Sequence, residues 1–119
     1  MKRGEIWWAD LGAYRALEQT GRRPVIVWQS DTLTRLLQPV LVVPLTTNLD
    51  RAKLAGTALI AASDGALAAD SVALVFQMRA IPKASLKTRI RALTVEELAE
   101  LDLATEEAVG RVEPETDQK

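Results

Sequence analysis

Short apolar stretches bounded by turn residues run through most of the chain, and this pattern predicts β-strands. The predicted strands cover residues 5–11, 23–28, 40–45, 57–60, 71–78 and 88–93. The stretch 40–45 is continuously apolar and predicts a buried strand. Because Pro44 lies inside it and has no N–H to donate, we expect a sheet edge or a bulge there.

Capping residues predict two helices. Ser30 is a suitable N-cap for a short helix that Pro39 prevents from running far. Thr94 and Glu97 have the spacing of a capping box, and apolar residues at helical intervals then continue to Gly110, a typical C-terminal stop. The elements together predict a mainly β chain with α (α+β): a small twisted barrel with a short loop helix and a C-terminal helix.

The length of 119 residues is that of one domain. We expect a single domain over residues 1–110 and a polar C-terminal tail over residues 111–119. No apolar run approaches the ~20 residues that cross a bilayer. The basic start, Met1-Lys2-Arg3, has no long apolar core after it, which argues against a signal peptide. We therefore expect a cytoplasmic protein that does not enter a membrane.

The composition narrows the chemistry, because the chain has no cysteine and no histidine. Disulfides, thiolate catalysis and Cys- or His-ligated metals are excluded, and so is the commonest general base. A catalytic site would have to use Arg, Lys, carboxylates, hydroxyls and backbone groups. The spacing of the carboxylates is not that of a calcium loop, and no glycine-rich loop indicates nucleotide binding. We therefore expect no metal and no cofactor.

The net charge of −1 conceals an uneven distribution. Residues 1–93 carry 13 Lys and Arg against 7 Asp and Glu, a net charge of +6. Residues 94–119 carry 2 against 9, a net charge of −7. This division fits a basic body that meets phosphates, with an acidic segment kept apart, although acidic runs more often mark a solvated surface.

An ordered series of short motifs extends over roughly residues 3–109. The series is Arg3-Gly4-Glu5-Ile6-Trp7, Asp10-Leu11, Glu18-Gln19, Arg22-Arg23-Pro24-Val25-Ile26-Val27, Val42-Val43-Pro44-Leu45-Thr46-Thr47-Asn48, Asp70-Ser71-Val72 and Gln77-Met78-Arg79-Ala80-Ile81. In this order the motifs closely resemble those of the MazF/PemK toxins of bacterial toxin–antitoxin pairs. The resemblance implies an SH3-like barrel of the CcdB/PemK type.

The resemblance also implies a function. Toxins of this family form homodimers, cut single-stranded RNA at short sequence contexts without a metal, and are blocked by a small antitoxin, which would here be MazE-like. The family pattern assigns catalysis to Arg23, before the proline of the second strand, and to Thr46, after the third apolar run. The residues it places near the substrate groove are Glu18, Gln19, Gln77 and Arg79, and we expect Asn48, close to Thr46 in the chain, to bind substrate as well.

The residue types suit the chemistry of RNA cleavage, in which the 2′-hydroxyl attacks the neighbouring phosphorus. The guanidinium of Arg23 is permanently protonated and can grip a phosphate with two donors, so it suits charge stabilisation rather than base catalysis. The Thr46 hydroxyl can donate to a phosphoryl oxygen. Glu18 can act as proton acceptor or hold a neighbouring arginine, and Gln19 and Gln77 can read base edges.

Aromatic residues leave two interpretations open. Trp8, Tyr14 and Trp28 can offer stacking faces for bases, although tryptophans more often belong to a core or a dimer interface. Because Trp7 and Trp8 are adjacent, we expect only one of them to face the core.

The rival function is that of a CcdB-like toxin, which shares the barrel and binds a protein target such as DNA gyrase without cutting RNA. A third possible function is that of an inactive barrel that only binds antitoxin as a decoy. The filled positions Arg23 and Thr46 favour the ribonuclease.

Overall fold

A computed structural model describes residues 1–12, 21–63 and 66–114 of the chain. The strands are β1 (Glu5–Asp10), β2 (Arg22–Val27), β3 (Pro39–Thr46), β4 (Thr57–Ile60), β5 (Ser71–Leu74), β6 (Arg79–Pro82) and β7 (Leu86–Ala92). The helices are α1 (Asp31–Leu36) and α2 (Val95–Ala108), and short 3₁₀ segments cover Leu49–Lys53, Val75–Gln77 and Lys83–Ser85.

All strands belong to one bent antiparallel sheet with the order β4-β5-β3-β2-β1-β7, and β6 pairs with β3 outside this path. Strand β3 is central: β2 lies along one of its edges, and β6 followed by β5 lies along the other. The predicted mainly β architecture with a short helix and a C-terminal helix agrees with this arrangement.

The expectation of a sheet edge or a bulge at Pro44 is met only in part, because β3 continues past Pro44 but changes its partner strand there on one side. Pro44 pairs with Val25 on the β2 side. On the other side Val42 pairs with Arg79 of β6 and Leu45 pairs with Ala73 of β5, so Pro44 lies where one partner strand gives way to the next. A missing N–H is tolerated at such an interruption of the ladder.

The single strand predicted over residues 71–78 is also wrong. Strand β5 ends at Leu74, the segment Val75–Gln77 turns as a 3₁₀ helix, and β6 resumes pairing with β3 at Arg79. The turn is held by the Met78 N–H, which donates to the carbonyl of Val75 at 2.8 Å. Because Val-Phe-Gln is a strand-like sequence, the sequence pattern carried no signal of this interruption.

Apolar residues form two cores on opposite faces of the sheet, and the alternation along β2 shows the division. Ile26 faces the first core, whereas Val25 and Val27 face the second. Helix α2 covers the first core with Leu101 and Ala104. The first core contains Ile6, Ile26, Trp28, Val43, Leu45, Ala58, Ile60, Leu67, Ala73, Val75, Leu93, Leu101 and Ala104. The second contains Ala9, Leu11, Val25, Val27, Val40, Val42, Ile81 and Leu86.

Both predicted helix starts are confirmed. The Ser30 hydroxyl caps α1. At α2 the Thr94 hydroxyl accepts from the Glu97 N–H at 3.1 Å, and the Glu97 carboxylate accepts from the Thr94 N–H at 2.9 Å. Helix α2 ends at Ala108, and Gly110 follows with a φ of +79° that suits a C-terminal cap.

In the part of the chain that the structure describes, no helix is long and apolar enough to cross a bilayer. Most of the predicted tail, residues 115–119, lies outside the described residues.

Candidate active site

Arg23 and Thr46 lie at the same end of the strand pair β2–β3, since Arg23 is the second residue of β2 and Thr46 is the last residue of β3. The last paired residues before this end are Val25 and Pro44, two positions away along each strand. Arg23 and Thr46 therefore lie on the face of the sheet that carries Val25 and Pro44, because residues two apart in a strand share a face. Arg23 is exposed at the start of β2 and Thr46 is half-buried at the end of β3.

A cleft of 150 Å³ adjoins this corner. Strands β1 and β2 supply one wall, while Thr47 and the segment 67–71 supply the other. The lining residues are Trp8, Arg22, Arg23, Pro24, Thr47, Leu67, Ala68, Ala69 and Ser71. Two arginine residues therefore border a largely apolar depression, an arrangement that suits a ligand carrying both a phosphate and a flat ring.

Thr46 is tied to the segment that follows it. Its Oγ1 accepts a hydrogen bond from the backbone N–H of Asn48 at 3.2 Å. The Asn48 Oδ1 accepts in turn from the N–H of Asp50 at 3.1 Å and so caps the 3₁₀ segment Leu49–Lys53. These contacts place Asn48 next to Thr46, with its side-chain oxygen engaged in the cap.

The opposite wall is fixed by local hydrogen bonds. The Asp70 Oδ1 accepts from the Ala62 N–H at 2.7 Å, and the buried Ser71 hydroxyl donates to the carbonyl of Ala69 at 3.1 Å. The sequence analysis did not identify Leu67, Ala68 and Ala69 as part of this wall, because apolar residues in a loop give no signal of a site.

The other predicted groove residues lie apart from this cleft or cannot be placed. Arg79 is opposite Val42, four residues before Thr46 along β3, which corresponds to about 13 Å of strand. Gln77 ends the 3₁₀ segment before β6, and neither residue lines the cleft. Glu18 and Gln19 lie outside the described residues, so their roles stay predictions.

The tryptophans have separate places, and only one borders the cleft. Trp28 belongs to the first core, where its Nε1 donates to the Thr105 hydroxyl at 2.8 Å and the Arg3 guanidinium lies 3.9 Å from its ring centre. Trp7 packs against the second core, whereas Trp8 is half-buried beside Arg22. The expectation that only one of the adjacent pair faces a core is confirmed. Tyr14 lies outside the described residues.

Next to Trp7, the half-buried carboxylate of Glu5 helps to hold β1 against β7. Desolvation alone would raise the pKa of Glu5, but hydrogen bonds from the Trp7 indole, the Lys2 backbone and the Arg89 guanidinium outweigh it and lower the pKa below its ordinary value. Glu5 is therefore a charged structural partner rather than a proton carrier. Within residues 1–12, 21–63 and 66–114, no three carboxylates cluster closely enough to hold a metal.

The fold and the cleft together define a class: a small antiparallel barrel protein with an arginine-lined corner suited to a phosphodiester chain. Residues 2–109 match the family described as PemK-like, MazF-like toxin of type II toxin-antitoxin system, and the chain belongs to that family.

Two relatives cover nearly the whole chain. The chain is 33% identical over 110 residues to an endoribonuclease MazF of Staphylococcus saprophyticus, with 92% of each protein covered. It is 32% identical to an endoribonuclease MazF of Staphylococcus epidermidis, again with 92% of each covered.

Solved structures agree with the fold. A mycobacterial endoribonuclease in complex with its cognate antitoxin superposes with a TM-score of 0.78 at 21% identity, covering 96% of this chain and 99% of that one. The Mycobacterium tuberculosis toxin MazF-mt6 superposes with a TM-score of 0.73 at 25% identity, covering 89% and 96%. The predicted fold class is confirmed by these similarities.

Proposed function

We propose that this protein is an endoribonuclease toxin that cuts single-stranded RNA through its own 2′-hydroxyl groups. The observation that carries the proposal is that Arg23 and Thr46 lie at the same end of the strand pair β2–β3, next to an arginine-lined cleft. Membership of the toxin family and the two endoribonuclease relatives support it.

The reaction is a transesterification within the RNA. The 2′-oxygen bonds to phosphorus as the bond from phosphorus to the 5′-oxygen breaks, and the products are a 2′,3′-cyclic phosphate and a 5′-hydroxyl. One proton leaves the 2′-oxygen and one reaches the 5′-oxygen. Because the nucleophile is part of the substrate, the protein supplies positioning and stabilisation of the charge that gathers on the phosphoryl oxygens.

Arg23 and Thr46 divide this work. The Arg23 guanidinium carries a positive charge and presents several donors to the phosphoryl oxygens. The Thr46 oxygen accepts from the Asn48 N–H, which directs a lone pair toward the backbone and allows the hydroxyl proton to donate to the phosphate. Neither group is a natural proton acceptor, and Glu18 is the carboxylate we assign to that role or to holding an arginine.

The remaining substrate contacts are proposed at Gln19, Asn48, Gln77 and Arg79. The amides can pair with base edges, because each carries a donor and an acceptor. Arg79 and Gln77 lie along the other edge of β3 from Arg23, so they would meet nucleotides further along the RNA.

The proposal includes two partners. The described surface exposes large apolar side chains on α2 and around β4 and β5, among them Leu54, Leu59, Phe76 and Leu103, which a second copy of the chain would bury. An antitoxin that is acidic where it covers the arginine-lined cleft would compete with RNA. A site of action in the cytoplasm follows from this substrate and partner.

The direct test is cleavage of a long single-stranded RNA in excess EDTA by the unchanged protein and by Arg23→Ala. We expect discrete cuts that the substitution slows by at least about 100-fold, because a donor to a developing negative charge is lost. Arg35→Ala removes an exposed arginine of α1 and serves as the control with full activity.

Failure of the unchanged protein to cut RNAs of many sequences would contradict the proposal. In that event the rival function, binding of a protein target such as DNA gyrase, would be tested next, and toxicity would then depend on α2 rather than on Arg23.

A further inference from the structure

Trp8 borders the cleft but has no role yet in the proposed reaction. It is half-buried, belongs to neither core, and lines the 150 Å³ cleft together with Arg22. The same two side chains also border a second depression of 330 Å³. The indole therefore forms a wall shared by two open spaces beside the arginines.

The register places this indole beside the arginines of β2. In the pairing of β1 with β2, Trp8 is opposite Pro24, and its neighbour Ala9 is opposite Arg23. Side chains alternate along a strand, so the Trp8 side chain shares a face with Pro24 and Arg22, while Arg23 borders the same cleft from the next position of β2.

The chemistry of the cleft suits a flat apolar ring. Pro24, Leu67 and Ala68 offer no charge, while Arg22 and Arg23 offer cations at the rim. Bases stack on aromatic side chains whatever their identity, because every base has a π-face. A base reaches such a wall only when it is unstacked, which is the condition of single-stranded RNA.

We propose that Trp8 is the stacking platform for a nucleobase next to the cleaved phosphate. The inference rests on the proposed function and deepens it: the base is held by its face, and its phosphate is thereby kept beside the arginines that line the cleft. Trp8 is thus a substrate-positioning residue whose contribution does not depend on base identity.

The test measures binding of short fluorescent RNAs with 2′-O-methyl riboses, which lack the attacking hydroxyl and are not cut. Trp8→Leu should weaken binding by about 5- to 150-fold, the range of one lost base–aromatic stack, and by similar factors for RNAs of different sequence. Trp8→Phe should restore most of the affinity. The slope of log affinity against log salt should stay unchanged, because no phosphate contact is removed.

Trp7→Leu is the matched control, since Trp7 is the adjacent indole of the same strand but packs against the second core. We expect it to lower the melting temperature and leave RNA affinity within about twofold.

Two outcomes would overturn the inference. In the first, Trp8→Leu binds RNA as the unchanged protein does. In the second, Trp8→Phe and Trp8→Leu weaken binding equally while both lower the melting temperature, which would assign Trp8 a structural role. In either case a cleavage defect of Arg23→Ala would leave the proposed function standing, whereas an unchanged protein that neither binds nor cuts RNA would contradict both.

Discussion

At the scale of single residues, the sequence identified Arg23 and Thr46 only through resemblance, because an arginine and a threonine at strand ends are common. The structure supplies the physical link, because the antiparallel pairing of β2 with β3 puts both residues at the same end and on the same face of the sheet although they lie far apart in the chain. Arg22 and Ala68 border the same cleft, and no local pattern could have assigned them to it.

The role of Thr46 can be separated from its packing. Thr46→Ser keeps the hydroxyl that accepts from the Asn48 N–H, and Thr46→Ala removes it. We expect Thr46→Ala to slow cleavage by about 100-fold, as loss of one donor to a charged transition state does, and Thr46→Ser to stay within about tenfold. Single-turnover rates with saturating protein measure both. Equal rates for the two variants would show that the hydroxyl takes no part.

At the scale of elements, the helix starts were predictable because Ser30 and the Thr94–Glu97 pair act on their own neighbours. The 3₁₀ segment Val75–Gln77, which separates β5 from β6, could not be predicted, because it depends on how both strands pair with β3. The position of Pro44 in a central strand was equally unpredictable, because a residue without an N–H fits there only where β3 changes its partner strand.

An ion pair between Arg91 and Glu97, which the sequence did not indicate, joins β7 to α2. The Glu97 carboxylate accepts from both terminal nitrogens of Arg91, at 2.8 and 3.0 Å, as well as from the Thr94 and Ala61 backbone N–H groups. The two side chains are only 15% and 11% exposed, so Arg91 would be left largely buried without its partner.

Glu97→Ala should therefore lower the free energy of unfolding by about 3 kcal/mol, because one charge of a buried pair would remain without compensation. Urea denaturation followed by circular dichroism measures the change. Glu96→Ala, in the same helical turn but exposed, is the control and should cost less than about 1 kcal/mol. A loss at Glu97 no greater than at Glu96 would refute the structural importance of the pair.

The same carboxylate makes stability depend on pH. Burial raises the pKa of Glu97, but the Arg91 guanidinium and the backbone N–H groups outweigh it, and the pKa lies below its ordinary value. A lowered pKa gives stability that is full above the unfolded pKa of about 4.3 and is lost as the pH falls through the folded pKa. Glu97→Gln should flatten this acid-side loss in pH-dependent unfolding. An equally steep loss in the variant would assign the dependence to other groups.

At the scale of the whole molecule, the uneven charge predicted from the sequence has a structural counterpart. Helix α2 holds much of the acidic segment on the outside of the first core, while the arginines of the cleft lie at the corner of β1, β2 and β3. Electrostatic binding of RNA is therefore expected at the cleft, with an affinity that falls as salt rises.

We propose, in addition, that the domain ends near residue 110 and that the polar tail is dispensable. The N–H groups of Arg111 and Val112 both donate to the carbonyl of Glu106 and complete the end of α2. A chain stopped after Val112 should keep its melting temperature and its cleavage rate within about twofold, because it retains these contacts. A large loss of either property would place the tail within the functional domain.

The central claim is that the RNA's own 2′-hydroxyl is the nucleophile at a site that contains Arg23. The most direct measurement compares an RNA cut at one position with the same RNA carrying a single 2′-deoxynucleotide immediately before that position, in excess EDTA. We predict that the all-ribose substrate yields 2′,3′-cyclic phosphate and 5′-hydroxyl ends, and that the single deoxy substitution abolishes the cut. Cleavage of the deoxy-substituted RNA at the same bond would show attack by water and would contradict the account.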